Sequence, residues 1–268
     1  MKGQVKALLR RFGYQVLRLP GDSVYERVMP EATYSPWNGD LDFAAVYEAI
    51  RSHTLVDKYR CWELWTLVSE TAKVEGAILE VGVWRGGTGA LMAKRAAMDG
   101  NATPVFLCDT FTGVVKAGHQ DTTYRGGEHA DTSLSTVVEL LRSLEVGDAR
   151  ILQGIFPEDT ASVIDPSTRF RLCHIDVDVY TSARDIMIWL WPRLSPGGVV
   201  VYDDYGFQEC DGIRTFVHEQ AREQDRLVLH NLNGHAVVVK LHGAAVDPTA
   251  GERPDIQASP IGAVNAPF

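Results

Sequence analysis

Four aspartates stand in two pairs: Asp176 and Asp178 in HIDVDVY, and Asp203 and Asp204 in VVVYDDYG. Each pair closes an apolar run that reads as a buried strand. Carboxylates brought together at neighbouring strand ends repel one another strongly unless a cation joins them. Oxygen-only ligands favour a hard cation, magnesium or calcium, over zinc, and magnesium would keep positions open for water or substrate oxygens. The plainer alternative is that these acids cap helices or pair with bases such as Arg184.

A second group surrounds a glycine turn, Glu80-Val81-Gly82-Val83-Trp84-Arg85-Gly86-Gly87-Thr88. Glycines between a strand and a helix let a ligand approach the backbone closely. The spacing Gly82-x-x-x-Gly86, preceded by an acid, departs from the G-x-G-x-x-G pattern that seats a pyrophosphate. It suits a ligand with a cationic amino-acid end: Glu80 can organise the turn or the amine, and free N–H groups at the helix start can meet a carboxylate. Asp109, in CDTF, ends the next apolar run and can take both hydroxyls of a ribose. Trp84, Tyr180, Tyr202, Tyr205 and Phe207 flank these motifs and serve either as a stacking wall or as core.

These residues need a scaffold that sets them side by side. Short apolar runs alternate with helical periodicity: GAILEVGV, TPVFLCDTF, ARILQGIF, FRLCHIDVDV and PGGVVVYDDYG read as strands. The intervening stretches from Gly86, Thr132, Thr181 and Asp211 read as helices, with Thr132 or Ser133 as a cap. The chain then closes with RLVLHNLNGHAVVVKL, two strands around Asn233-Gly234, a strong hairpin signal. The fold class is therefore α/β, with a doubly wound, seven-stranded, mostly parallel sheet whose last strand is antiparallel. An ordinary dinucleotide-binding domain lacks that ending; the methyltransferase variant of the fold has it. Residues 41–73 carry helical spacing and predict a helical cover. The organisation expected is an N-terminal helical lid (1–73), a core (74–242) and an irregular tail (243–268). The polar stretch 113–131 is long for a plain loop, and such loops are usually functional.

Composition narrows the partners. The chain has 268 residues, 45% of them hydrophobic, enough to bury one sizeable core. Its net charge of −9 argues against nucleic acid, which needs a basic footprint. No apolar run is long enough to span a membrane. The basic segment containing Lys2, Lys6, Arg10, Arg11 and Arg18 reads as an amphipathic piece docking on its own or a neighbouring subunit. Cys61, Cys108, Cys173 and Cys210 show no paired spacing and read as reduced, buried thiols, which implies the cytoplasm. A homo-oligomer, dimer or larger, is the expectation for such a fold.

ILEVGVWRGGTG, CDTFTGV, ILQGIFPEDT, HIDVDVYTSARD and LSPGGVVVYDDYG together resemble the macrocin O-methyltransferase family of antibiotic-pathway sugar methyltransferases, which includes the novobiocin-pathway enzyme. The resemblance implies a class I methyltransferase that uses S-adenosylmethionine and Mg2+ to methylate a hydroxyl of a small molecule, a natural-product sugar foremost. It implies Asp176, Asp203 and Asp204 as metal ligands and Asp176 as the candidate general base; because a metal-bound carboxylate is a poor base, Asp178, His119 or His129 stand as alternatives. It places Val81, Gly82, Gly86, Thr88 and Glu80 at the methionine end of the cofactor and Asp109 and Thr110 at the ribose. By the same resemblance Gly154, Ile155 and Phe156 fall near the adenine, and Ser133, a looser match to the motif, at the cofactor. The competing readings are a metal-independent methyltransferase and, further off, a nicotinamide oxidoreductase.

Overall fold

The computed structural model of the protein describes residues 11–12, 24–28, 30–100 and 103–242. Most of the basic N-terminal segment and the tail 243–268 lie outside the described residues. Seven strands form one sheet in the order β3-β2-β1-β4-β5-β7-β6. They are β1 (Ala77–Val81), β2 (Val105–Asp109), β3 (Ala149–Gln153), β4 (Phe170–Ile175), β5 (Leu194–Tyr202), β6 (Arg226–His230) and β7 (Ala236–Lys240). The pairs among β1 to β5 are parallel, and β7 runs antiparallel to both β5 and β6. The expected sheet and its antiparallel ending are both present.

Among the described residues six α-helices flank it: α1 (Leu41–Ile50), α2 (Lys58–Glu70), α3 (Gly87–Met98), α4 (Leu134–Ser143), α5 (Tyr180–Leu190) and α6 (Asp211–Gln220). The strand side chains alternate between two cores, as a period of two requires. Ile78 joins Phe43, Leu64, Trp65 and Leu91 on one face; Leu79 and Val81 join Phe106, Ile186 and Phe216 on the other. The helical pattern of 41–73 divides at 51–57. Asp40 caps α1 by accepting from Phe43 N at 2.8 Å, and Asp57 caps α2 through Tyr59 N at 2.8 Å. Both helices pack on α3 and belong to the core, so the cover over the sheet edge is their connecting loop.

The predicted hairpin is present with a longer connection. Residues 231–235 form the loop, closed by Asn231 N to His235 O at 2.9 Å, with Gly234 at φ +111°. It extends because the Asn231, Asn233 and His235 side chains reach across to α2.

Register brings the motif residues together. Val81 pairs with Cys108 and Ile175, and Ile175 pairs with Tyr202. Asp109, Gly82, Asp176 and Asp203 therefore stand in a row along the carboxyl edge of the sheet. The strand order reverses between β1 and β4, the place where doubly wound folds open a crevice.

Candidate active site

A cavity of about 370 Å³ opens at that edge, within the roughly 300–1,000 Å³ usual for ligand sites. Its wall includes Val81, Gly82, Thr88, Asp109, Thr110, Gly154, Ile155 and Phe156, and the acids Asp176, Asp178, Asp203 and Asp204. The α1–α2 loop adds His53 to Val56, and the stretch after β2 adds Gly113 to Val115, Tyr124 and His129. Trp84 and Phe207 line it; Tyr202 is fully buried core, Tyr180 packs on Phe216, and Tyr205 stacks on His230.

The glycine turn is built by contact. Gly82 has φ +90°, and a Cβ there would fall 1.7 Å from Asp176 O, so β1 and β4 touch where their acids emerge. Asp109 organises the same turn: its Oδ2 accepts from Val83 N at 2.7 Å and Trp84 N at 2.8 Å, and its Oδ1 from Phe111 N at 2.6 Å. A carboxylate offers about four lone-pair sites, so one remains for a ligand hydroxyl.

Three residues expected at the cofactor lie off the cavity wall. Glu80 is fully buried off the cavity wall, its Oε1 2.9 Å from His174 Nδ1. Gly86, also off the wall, has φ +91° and starts α3 where a Cβ would meet Val137 at 2.9 Å; its role is helix packing. Ser133 caps α4, accepting from Thr136 N at 3.2 Å.

The acids converge. Oxygens of Asp176, Asp203 and Asp204 lie within 4.8 Å of one another. The plainer alternative holds for Asp203, which pairs with Arg60; the rest of it does not, since Val179 and Cys210 occupy the N-cap positions of α5 and α6 and Arg184 pairs with Asp185 at 2.8 Å. Burial and the neighbouring charges of Asp203 and Asp204 hold the Asp176 carboxyl well above the usual carboxylate range. Asp204 is raised likewise, by burial and then by Asp178 and Asp203. Asp203 goes the other way. Burial opposes its ionisation, but hydrogen bonds from His174 and His235 and the Arg60 charge hold it well below the range. Its Oδ1 lies 2.9 Å from His235 Nε2 and 3.4 Å from His174 Nε2, and its Oδ2 accepts from Arg60.

These partners were missed in the sequence. Arg60 stands 143 positions from Asp203 and His235 32 positions away. His174 lies inside the HIDVDVY motif, where it reads as one more strand residue. Only its polarity in an otherwise apolar run could have flagged it.

A hard cation fits one acid set best. Asp176, Asp203 and Asp204 offer oxygens alone, and two of the three carry unfavourable charge that a dication would relieve. The set Asp178, Asp204 and Cys210 includes a thiol whose pKa is raised by burial and then by Asp204, which disfavours the thiolate a metal needs. In the set His174, Asp203 and His235 both imidazoles already lie within hydrogen-bond distance of the carboxylate.

Among the alternative bases, Asp178 lines the cavity at φ +64°, in a hydrogen bond with Tyr124. His129 also lines the wall, whereas His119 is exposed and off it.

A sheet of this order with a glycine turn and an acid at the reversal point defines a methyltransferase-type α/β fold. The chain belongs to the macrocin-O-methyltransferase (TylF) family, whose profile matches residues 42–236. It is 33% identical over 181 residues to 8-demethyl-8-(2,3-dimethoxy-alpha-L-rhamnosyl)-tetracenomycin-C 4'-O-methyltransferase of Streptomyces olivaceus, covering 63% of this chain and 67% of that one. Mycinamicin III 3''-O-methyltransferase of Micromonospora griseorubida is 31% identical over 183 residues, covering 63% and 70%. The solved O-methyltransferase NovP superposes with a TM-score of 0.60 at 25% identity, over 70% of this chain and 82% of NovP. The protein is an O-methyltransferase.

Proposed function

We propose that the protein transfers a methyl group from S-adenosylmethionine to a hydroxyl on the sugar of a natural product, with Mg2+ at Asp176, Asp203 and Asp204. The observation that carries this reading is the convergence of those three carboxylates on the wall of the same cavity that the glycine turn opens. The acceptor class is supported by the Streptomyces olivaceus relative, whose name gives a rhamnosyl tetracenomycin as acceptor, and by the mycinamicin O-methyltransferase. Among the described residues no helix is long and apolar enough to cross a membrane.

S-adenosylmethionine would supply an activated methyl, and a bound dication would fix the acceptor oxygens and lower the pKa of the reacting hydroxyl. The protein's part is alignment and proton removal. Val81, Gly82 and Thr88 would hold the methionine end, Asp109 and Thr110 the ribose, and Gly154 to Phe156 the adenine. Aligned reactants gain on the order of 7–11 kcal/mol over free encounter. Asp178 would take the proton. It faces the cavity outside the oxygen-only set, its position is fixed by Tyr124, and burial raises its pKa, as suits a base. Asp176, the base implied by the family resemblance, is the second reading; a metal-holding carboxylate is the poorer proton acceptor.

Radiolabelled methyl transfer to a panel of rhamnosylated and other glycosylated acceptors tests the proposal. Turnover that chelator abolishes and Mg2+ restores is the expected result. Full turnover in chelator would favour the metal-independent reading, with Arg60 as the standing cation on Asp203. Asp178→Asn separates the two bases: lost turnover with metal affinity kept supports Asp178, and wild-type turnover returns the role to Asp176.

A further inference from the structure

Asp203 is gripped on Oδ1 by His235 and His174, which lie off the cavity wall, and on Oδ2 by Arg60, which lines it. His235, fully buried at the end of the β6–β7 loop, spans two carboxylates: its Nε2 lies 2.9 Å from Asp203 Oδ1 and its Nδ1 2.7 Å from Glu63 Oε2. Glu63 comes from α2, in the N-terminal extension. It also accepts from Asn233 Nδ2 at 2.6 Å and from Asn231 Nδ2, so one carboxylate gathers three side chains of one loop. The loop in turn is packed against the turn that carries the acids. Gly206 N donates to Gly234 O at 2.8 Å, and a Cβ on Gly206 would meet Gly234 Cα at 2.5 Å.

We propose that His235, anchored by Glu63, is a positioning residue that fixes Asp203 as a metal ligand, so that α2 and the β6–β7 loop set the affinity of the site for its divalent cation. This rests on the metal reading above. The physical reason is the freedom of an aspartate side chain. Unrestrained, Asp203 would lose rotamer entropy on closing around a cation, and it would be free to turn both oxygens to Arg60. With Arg60 on Oδ2 and both His235 and His174 on Oδ1, its plane is set before the cation arrives, and Oδ2 keeps a further lone pair. A loop needing only closure would not send a buried ring into a ligand carboxylate. Removing a partner of a metal ligand typically costs about 10–100-fold in metal affinity.

The test is Mn2+ binding to the full chain, read from the loss of the free-ion electron paramagnetic resonance signal. Glu63→Gln, His235→Phe and His235→Gln are compared with wild type, and S-adenosylhomocysteine binding is measured by calorimetry on the same samples. Glu63→Gln and His235→Phe are expected to weaken Mn2+ binding by about tenfold or more, with S-adenosylhomocysteine affinity unchanged. His235→Gln, whose amide N–H can reach the place of the ring Nε2, should stay within about threefold of wild type. In turnover, the KM for Mg2+ should rise in Glu63→Gln while kcat at saturating Mg2+ is kept. Wild-type Mn2+ affinity in Glu63→Gln overturns the proposal, even if His235→Phe fails to fold. A wild-type protein that binds S-adenosylhomocysteine but no Mn2+ overturns the metal reading and this one with it.

Discussion

At the scale of single residues, the site is a balance of buried charge. His174 sits between Glu80 and Asp203. Burial works against its charge, but hydrogen bonds to Asp203 and Glu80 outweigh that and push its pKa up to about 10. A histidine whose folded pKa exceeds its unfolded value of about 6.5 adds stability that is full below the lower value and lost as pH rises through the higher. The metal-free protein is therefore expected to lose thermal stability between about pH 6.5 and 10, and a His174→Gln variant to show a flatter profile. Differential scanning fluorimetry across that range checks it; parallel profiles would remove His174 as the cause. Gly82→Ala meets a carbonyl at 1.7 Å and an unfavourable φ, so a loss of about 2 kcal/mol or more is expected in urea unfolding. The four aspartates were legible because each lies in a short motif beside an apolar run. Their counter-charges were not, because Arg60, Glu63 and His235 come from segments that only the fold brings together.

At the scale of elements, the strand ends do the positioning, and the loops decide what enters. Strands were readable in the sequence as short apolar runs, and the structure supplies their register: the residues just past paired positions in β1, β4 and β5 form the site. The helix ends were harder. Ser133 looks like a cofactor contact by motif and is a cap by geometry. Its replacement by alanine should cost about 0.5–2 kcal/mol of stability and leave cofactor affinity unchanged, a combination calorimetry and denaturation can separate. The stretch 113–131 is held by Asp121, 3% exposed, which accepts from Gly118 N at 2.8 Å and Tyr180 N at 2.9 Å. Hydrogen bonds to a charged group are worth about 1.5–3 kcal/mol each. Asp121→Ala should loosen the wall formed by Tyr124 and His129. A fall in kcat/KM for the acceptor of about 10–100-fold is expected, with cofactor affinity largely kept. Equal losses in both would assign Asp121 to general folding.

At the scale of the molecule, two cores above and below one sheet fix an edge where a glycine turn and three acids meet. The parallel strands follow from the alternation seen in the sequence and the antiparallel last strand from its terminal hairpin, whereas the sheet order and the cavity at the reversal point come from the fold. The four cysteines are free and buried, as their lack of paired spacing suggested. The extension before the core was readable as helical but not as core: α1 and α2 supply Phe43, Leu64 and Trp65 to the packing and Arg60 and Glu63 to the site. Its helical spacing shows which face is apolar, not what that face packs against. The cation is central to this account, because it would relieve the crowding of Asp176 and Asp204 beside Asp203, whose own charge Arg60 already meets. Anomalous diffraction from a crystal soaked with Mn2+ and S-adenosylhomocysteine tests it most directly. The expected result is a single strong peak bounded by the carboxylates of Asp176, Asp203 and Asp204. A cavity filled by S-adenosylhomocysteine with no peak there, or with the peak between the His174 and His235 rings, would contradict it.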